Sequence, residues 1–257
     1  MKHLKDTSEK FNVDYVTAKT SFRMFLNEKA LDNLIAKSED QWYHGFQCGI
    51  GIICHAAPIC YVMHKDTIYF ASSYTANDVY TSATDPTIDN HVHFGDTCVI
   101  HDGYDFSRQM KIHNLVEYTK KTGKNIPLRV CWASEGGSNC CECEKCWRTI
   151  LGLYAERANP KQFGFDYKDF PTICKHMYKN AYKFSGHGTI QFYSAIMSAL
   201  HTNYTLSQIE PNLRWFYKRD VKHLSDMPFY FYILRFLRIK AGYMKYKLTT
   251  WLKTQQK

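Results

Sequence analysis

The chain has 257 residues, 45% of them apolar and 16% aromatic. That is enough to bury a core without disulfides and excludes a disordered chain. Its formal charge of +9 is uneven, because seven Lys or Arg and no acid follow Asp226 while the rest is near neutral; the basicity belongs to a tail, and nucleic-acid binding is not expected.

The N-terminus, Met1-Lys2-His3-Leu4-Lys5-Asp6, lacks the apolar run and cleavage site of a secretory signal. A cytoplasmic, reducing setting is therefore expected, in which the ten cysteines favour metal over disulfides. Met1 to Lys10 reads as a short polar helix, Val13 to Val16 as a brief strand, and Ser21 to about Lys37 as a second helix. The next segment, Gln41 to Ile59, is apolar but interrupted by His44, Gln47, His55 and Pro58, too polar for a bilayer span. It is expected to be an internal helix that stops near Pro58, with Gly45, Gly49 and Gly51 spaced to admit another backbone.

Thr67-Ile68-Tyr69-Phe70-Ala71 is β-branched and aromatic and predicts a buried strand. Ser72 and Ser73 follow at its C-terminal end, where ligands bind in open α/β sheets, and are candidate hydrogen-bonding groups. From Ser72 to Asp105 the sequence reads as one long polar loop, of the kind that serves a site or is mobile. Within it Asp89, His91 and His93 alternate as on a strand, a pattern open to a second metal or to ordinary loop polarity.

Asp105 is expected to cap a helix from Phe106 to Lys121, with Met110, Leu115 and Tyr118 among its apolar positions and Gly123 ending it. Arg108 and Lys111, one turn apart at its start, can both face an anionic ligand; the alternative is a solvated helix face. Pro127 to Trp132 predicts another strand, and Trp147 to Arg157 a helix closed by Asn159-Pro160.

This alternation indicates an α/β fold over residues 1–165. Residues 166–257 should form a mostly helical C-terminal region, with helices at Gln191 to Leu200, Asn212 to Tyr217 and Phe229 to Leu252. In the last of these Ile233, Leu237, Ala241, Met244 and Leu248 form a stripe among Arg and Lys. Residues 229–253 thus read as a basic amphipathic helix, lying on an anionic membrane surface, docking on a protein partner, or packing on its own domain.

The strongest pattern is C-x8-C-x2-C-x2-C, formed by Cys131, Cys140, Cys143 and Cys146. Two overlapping C-x2-C turns supply three thiolates from one loop, and Cys131 closes a tetrahedron around zinc at about 2.3 Å per bond. Four protein ligands leave no open position, so the metal is expected to be structural. Lys145 and Arg148 would offset its negative charge, and Cys141 falls outside the register as a spare thiol. An iron–sulfur cluster, or cysteines buried independently, are the alternatives.

Leu128-Arg129-Val130-Cys131-Trp132 and Asn139-Cys140-Cys141-Glu142-Cys143-Glu144-Lys145-Cys146-Trp147-Arg148-Thr149 resemble the zinc-containing C-terminal segment of 7-cyano-7-deazaguanine synthases. Those enzymes belong to the PP-loop ATP pyrophosphatases, of adenine nucleotide alpha hydrolase-like fold. Ser107-Arg108 and Lys111-Ile112 resemble a pair that recurs in uncharacterised relatives. The resemblance implies a partial Rossmann-like domain that uses ATP and Mg2+ to adenylate a substrate with release of pyrophosphate, Arg108, Lys111, Ser72 and Ser73 being the candidates for holding the nucleotide. The group's Ser-Gly-Gly-x-Asp-Ser loop is not in this sequence; Gly136-Gly137-Ser138 lies inside the cysteine loop and lacks the Asp-Ser. Met1 to Val16 resembles the helix and strand that follow that loop in the family. A truncated, split or degenerate chain is thus expected, its phosphate loop supplied by a complementing N-terminal polypeptide. The other expectation is a non-catalytic zinc-stabilised module acting through its tail.

Overall fold

Two short β-branched segments pair in parallel and form the sheet: β1 (Thr67–Ala71) lies beside β3 (Thr97–Asp102) in the register Thr67 to Cys98 through Ala71 to Asp102. β2 (His93–Phe94) joins β3 antiparallel, giving the order β1-β3-β2. In this computed structural model the described residues are 2–36, 41–78, 82–131, 133–134, 137–184, 189–226, 233 and 240.

β1 falls where its composition predicts. β3 lies inside the stretch read as one long loop, which also holds α4 (Pro86–Asp89) and β2. Its signal is a period of two, with Thr97, Val99 and His101 buried and Ile100 and Asp102 facing out, short enough to be masked by the surrounding Asp, Gly and His. Conversely, Val13 to Val16 forms no strand, and neither do the described residues of Pro127 to Cys131. Among the described residues neither pairs with a strand: in the second, Leu128 donates to the Phe163 carbonyl, and Val130 and Cys131 donate to the Asn139 side chain.

The N-terminal helix runs as α1 (Lys2–Phe11). The helix expected from Ser21 is instead a 3₁₀ turn at Phe22–Met24 followed by α2 (Glu28–Leu34), which Asn27 caps by accepting from the Ala30 N–H. The internal helix divides into a π-helical segment, Tyr43–Gly51, and α3 (Ala57–Val62). Pro58 sits in the first turn of α3 and so starts a helix rather than ending one, since its missing N–H is one that no helix start uses.

Gly49 does admit a backbone. A Cβ built there would lie 2.0 Å from the Ala83 carbonyl oxygen, and Gly49 leaves helical geometry at φ −106°, ψ −107°. Gly49→Ala must displace main chain rather than a flexible side chain. It is expected to cost about 3 kcal/mol or more in a urea melt, whereas an alanine at the exposed Gly95 meets no atoms within 4 Å and is opposed by its positive φ alone.

The core of the first part of the chain is built on α6 (Glu144–Ala155), where nine of twelve residues are buried, among them Trp147, Ile150, Leu151 and Leu153 with no exposure. α5 (Arg108–Thr122) is capped by Ser107, not Asp105, and ends at the left-handed Gly123. Its buried face is Gln109, Ile112 and Val116; Met110 and Tyr118, expected to be apolar contacts, are exposed. α5 meets α6 at Gly152, where a Cβ would stand 2.6 Å from Ile112 Cδ1 and 2.9 Å from Gln109 Oε1.

The chain divides into two compact units, Met1–Asp166 with Gln191–Asn203, and Tyr167–Ile190 with Tyr204–Lys257. Most of α8 (Ile190–Asn203) thus packs with the first unit although it lies in the sequence's C-terminal region. In the second unit α7 (Phe170–Lys179), capped by Asp169, buries Ile173, Cys174 and Met177. Trp215 of α9 (Arg214–Lys218) there packs its ring against Tyr178, Phe184 and Phe216. The fold class is mixed α/β. No helix among the described residues is long and apolar enough to cross a membrane. The basic helix expected over 229–253 falls outside the described residues except for Ile233 and Lys240, both helical.

Candidate metal centre

The cysteine loop leaves an extended segment that has no strand partner among the described residues, and it ends at the N-terminus of α6. One side chain organises it. Asn139 accepts from the Val130 and Cys131 N–H groups at 3.1 and 3.2 Å, and its Nδ2 donates to the Leu128 and Gly164 carbonyls at 2.7 and 2.9 Å. Buried backbone groups must find partners, and here an amide supplies both a donor and an acceptor as a neighbouring strand would. Cys131 is thereby held against Cys140 although eight residues separate them.

Cys131, Cys140, Cys143 and Cys146 converge, their four sulfurs all within 4.8 Å of one another. Individual Sγ–Sγ separations are 3.9 Å for Cys140–Cys146, 3.9 Å for Cys131–Cys143 and 3.5 Å for Cys143–Cys146. A tetrahedron with metal–sulfur bonds of about 2.3 Å has edges of about 3.8 Å, so the sulfurs need little movement to close on a metal ion. The four-cysteine cluster could hold such an ion, and it is the one set of three or more ligand residues found among the described residues.

The thiols differ in acidity. Burial pushes Cys131 up, but bonds from Cys140 and from the Ala133 and Ser134 backbone outweigh it and bring the thiol down to about 6. Cys143 and Cys146 are raised, each chiefly by burial. A buried set of this kind resists accumulating thiolates by itself, which is the condition a cation relieves.

Cys141 stands apart, as its register implies. Its backbone is left-handed at φ 56°, its carbonyl accepts from the Trp147 indole N–H at 2.7 Å, and burial raises its thiol to about 11. The residue serves the turn: by swinging through a positive φ it lets Cys140 and Cys143 face the same point while Trp147 goes into the core.

No protein-family model, curated protein or solved structure matches the chain. The centre is assigned from its donor set and its distances.

The second group of candidates is divided by the structure. The Lys111 Nζ donates to the Ser72 carbonyl at 2.8 Å and so ties α5 to the C-terminal end of β1. Ser72 is buried; its N–H donates to the Asp102 carbonyl and its hydroxyl to the Tyr74 carbonyl, leaving the side chain committed internally. Ser73 is exposed in the bend that follows. Lys111 is lowered by burial and then by the charge of Arg108, against the pull of Asp102, which puts both cations in one neighbourhood.

Arg108 itself turns toward α6 and α8. Its guanidinium carbon lies 4.9 Å from the centre of the Phe192 ring, and that of Arg148 lies 4.5 Å from the same ring. Arg148, expected to balance the thiolates, pairs instead with Glu144 at 3.5 Å. The reason is helical geometry. Glu144, Arg148 and Gly152 follow at intervals of four and share one face of α6, while Cys146 leaves the helix about 160° away from Arg148. Glu144 also accepts from the Tyr193 hydroxyl at 2.8 Å. Glu144 and Arg148 were legible as a pair spaced by four; Phe192 and Tyr193 had no signal, being supplied from a helix more than forty residues away.

Asp89, His91 and His93 do not form a second metal set. Asp89 is the last residue of α4 and, fully buried, pairs with His101 Nδ1 at 2.7 Å and accepts from Thr84 at 3.1 Å. His91 and His93 are exposed. Asp89 therefore fastens α4 to β3, a structural role that His101, passed over in the sequence, makes specific.

Proposed function

We propose that this chain is a zinc-stabilised relative of ATP-dependent adenylating enzymes of the PP-loop ATP pyrophosphatase type. The observation that carries the reading is the convergence of four thiols within 4.8 Å immediately before α6, in a chain whose β1 and β3 are parallel. Zinc suits the donor set, since four thiolates at tetrahedral spacing close its coordination and leave it a structural part. Bound there, zinc supplies no chemistry beyond holding the loop.

In this reading Arg108 and Lys111, near the C-terminal end of the parallel strands, receive the anionic part of Mg2+-bound ATP; Ser72 contributes its carbonyl to Lys111 rather than its hydroxyl to a ligand. The phosphate-gripping Ser-Gly-Gly-x-Asp-Ser element, not in the sequence, is assigned to a complementing N-terminal polypeptide. The test is to fuse the strand, loop and helix of an active member of that group ahead of Met1 and titrate Mg2+-ATP by calorimetry. Binding by the fusion that is far tighter than any by the chain alone is the expected result. No binding by either removes the adenylating reading and leaves a zinc-stabilised binding module.

The charge distribution favours one second reading, in which the tail after Asp226, with seven basic residues and no acid, holds the protein to an anionic membrane surface or an acidic partner. Co-sedimentation with phosphatidylserine vesicles, lost when Lys245 and Lys247 become Gln, would support it; equal sedimentation of both forms would remove it.

A further inference from the structure

Arg108 and Arg148 bring two positive charges into one partly dry place with a single carboxylate, Glu144, acting on both. Arg148 has a side chain only 7% exposed, and its Nε makes no hydrogen bond; the Nε of Arg108 is likewise buried without a partner. Glu144 is already engaged by the Tyr193 hydroxyl and approaches Arg148 at 3.5 Å, too far for a strong hydrogen bond. Phe192 offers both guanidiniums a π face, which eases their desolvation but does not neutralise them. Burial first, and repulsion from Arg148 second, bring Arg108 down to about 10, against the pull of Glu144.

A buried cation is costly unless paired, and two such cations with one shared carboxylate leave a charge unmatched. Cys146 projects from another side of α6, and no cysteine contributes to the shift of Arg108, whose charged neighbours are Arg148, Glu144 and Tyr74. Lys111 does not supply the balance either, since it adds a third positive charge nearby. Arg108 remains partly exposed, so the group is reachable from solvent.

We propose that Arg108 and Arg148, set over Phe192 at the meeting of α5, α6 and α8, form a site for an oxyanion, a phosphoryl or carboxylate group of a small ligand. The planar guanidinium forks, with the Arg108 Nε–H unpartnered and the Arg148 Nε–H held only by a 3.5 Å ion pair to Glu144, match the two-oxygen edge of such a group. Glu144 and Tyr193 are positioning residues: the Tyr193 hydroxyl donates to the Glu144 carboxylate, and that carboxylate holds the buried Arg148 beside Phe192. The site adds Arg148 to the nucleotide reading above but does not need ATP, a complementing polypeptide or catalysis.

The experiment is calorimetric titration of the zinc-loaded chain with inorganic phosphate and, separately, with malonate, at constant ionic strength set by chloride. Saturable binding of phosphate marks a phosphoryl site, and binding of malonate alone marks a carboxylate site; either supports the proposal if Arg108→Gln and Arg148→Lys each weaken it about tenfold or more. Arg148→Lys keeps the charge and removes the fork, so its failure to bind separates fork recognition from general attraction. Arg108→Gln alters a partly exposed residue of α5, outside the cysteine loop, and its melting temperature and zinc content report whether the fold is kept. No heat above the chloride background for the unmodified chain overturns the proposal, as does binding unchanged in Arg108→Gln. A fusion that fails to bind ATP while the chain still binds phosphate would remove the adenylating reading and leave this site standing.

Discussion

Replacing Cys143 by Ser is expected to take the zinc content from about one per chain to none and to unfold the loop around it. Structural zinc contributes about 10 to 16 kcal/mol of apparent binding free energy in small sites, and the serine hydroxyl does not ionise to replace the lost thiolate. Cys143 is central to the cluster, with sulfurs of Cys131 and Cys146 at 3.9 and 3.5 Å, so its loss affects the ligands from both arms of the loop. Because the loop enters α6 directly, the effect reaches the core: a loss of about 4 kcal/mol lowers Tm by roughly 10 °C in a chain of this size. Metal content by mass spectrometry and a thermal melt read both outcomes. Cys141→Ser is the control, expected to keep its metal, since that thiol points to the Asn139 carbonyl and not into the cluster. Equal zinc in wild type and Cys143→Ser would remove the assignment, as would zinc lost from both variants.

Trp147→Ala carries the second large effect. Among the described residues the indole is the largest fully buried side chain, and its N–H donates to the Cys141 carbonyl inside the cysteine turn. Truncation empties a cavity in the centre of α6, at about 3 to 5 kcal/mol, and leaves a buried carbonyl without its donor, about 1 to 2 kcal/mol more. Trp147→Phe keeps most of the apolar volume and loses the hydrogen bond. Its denaturant midpoint should fall by a fraction of that seen for alanine while zinc binding weakens in both. A phenylalanine variant with wild-type zinc affinity would show that the indole bond does not support the turn.

The metal centre was almost wholly legible because its chemistry is written in spacing. Three thiolates at intervals of three, one more upstream and a helix directly after specify a coordination shape with little help from the rest of the chain. β1 and α6 were legible for a related reason: β-branched composition and dense apolar content act locally. The oxyanion group was only half legible. Arg108 marked a helix start, but the reading paired it with Lys111, one turn along the same helix, whereas its side chain meets residues of α6 and α8. Such contacts depend on tertiary packing through the Gly152 crossing, and no local pattern encodes them. The strand expected at Pro127 to Trp132 is not formed by its described residues, for the opposite reason. Its composition suits a strand, but pairing needs a second strand in reach, and among the described residues Asn139 occupies that role. Likewise Pro58 carries the same letter whether it stops a helix or begins one; the preceding π-helical segment and its break at Gly49 decided the outcome.

Asn139 also sets how this centre ages. Asparagine is among the thermolabile residues, and hydrolysis of its side-chain amide yields aspartate. At this position the change would turn two donated hydrogen bonds into a carboxylate oxygen facing the Leu128 and Gly164 carbonyls, while the bonds accepted from Val130 and Cys131 could remain. The segment bearing Cys131 would be pushed from its place by repulsion between acceptors, with every thiol chemically intact. On prolonged heating the lifetime of the centre would then be governed by a covalent change in one amide rather than by dissociation of metal from sulfur.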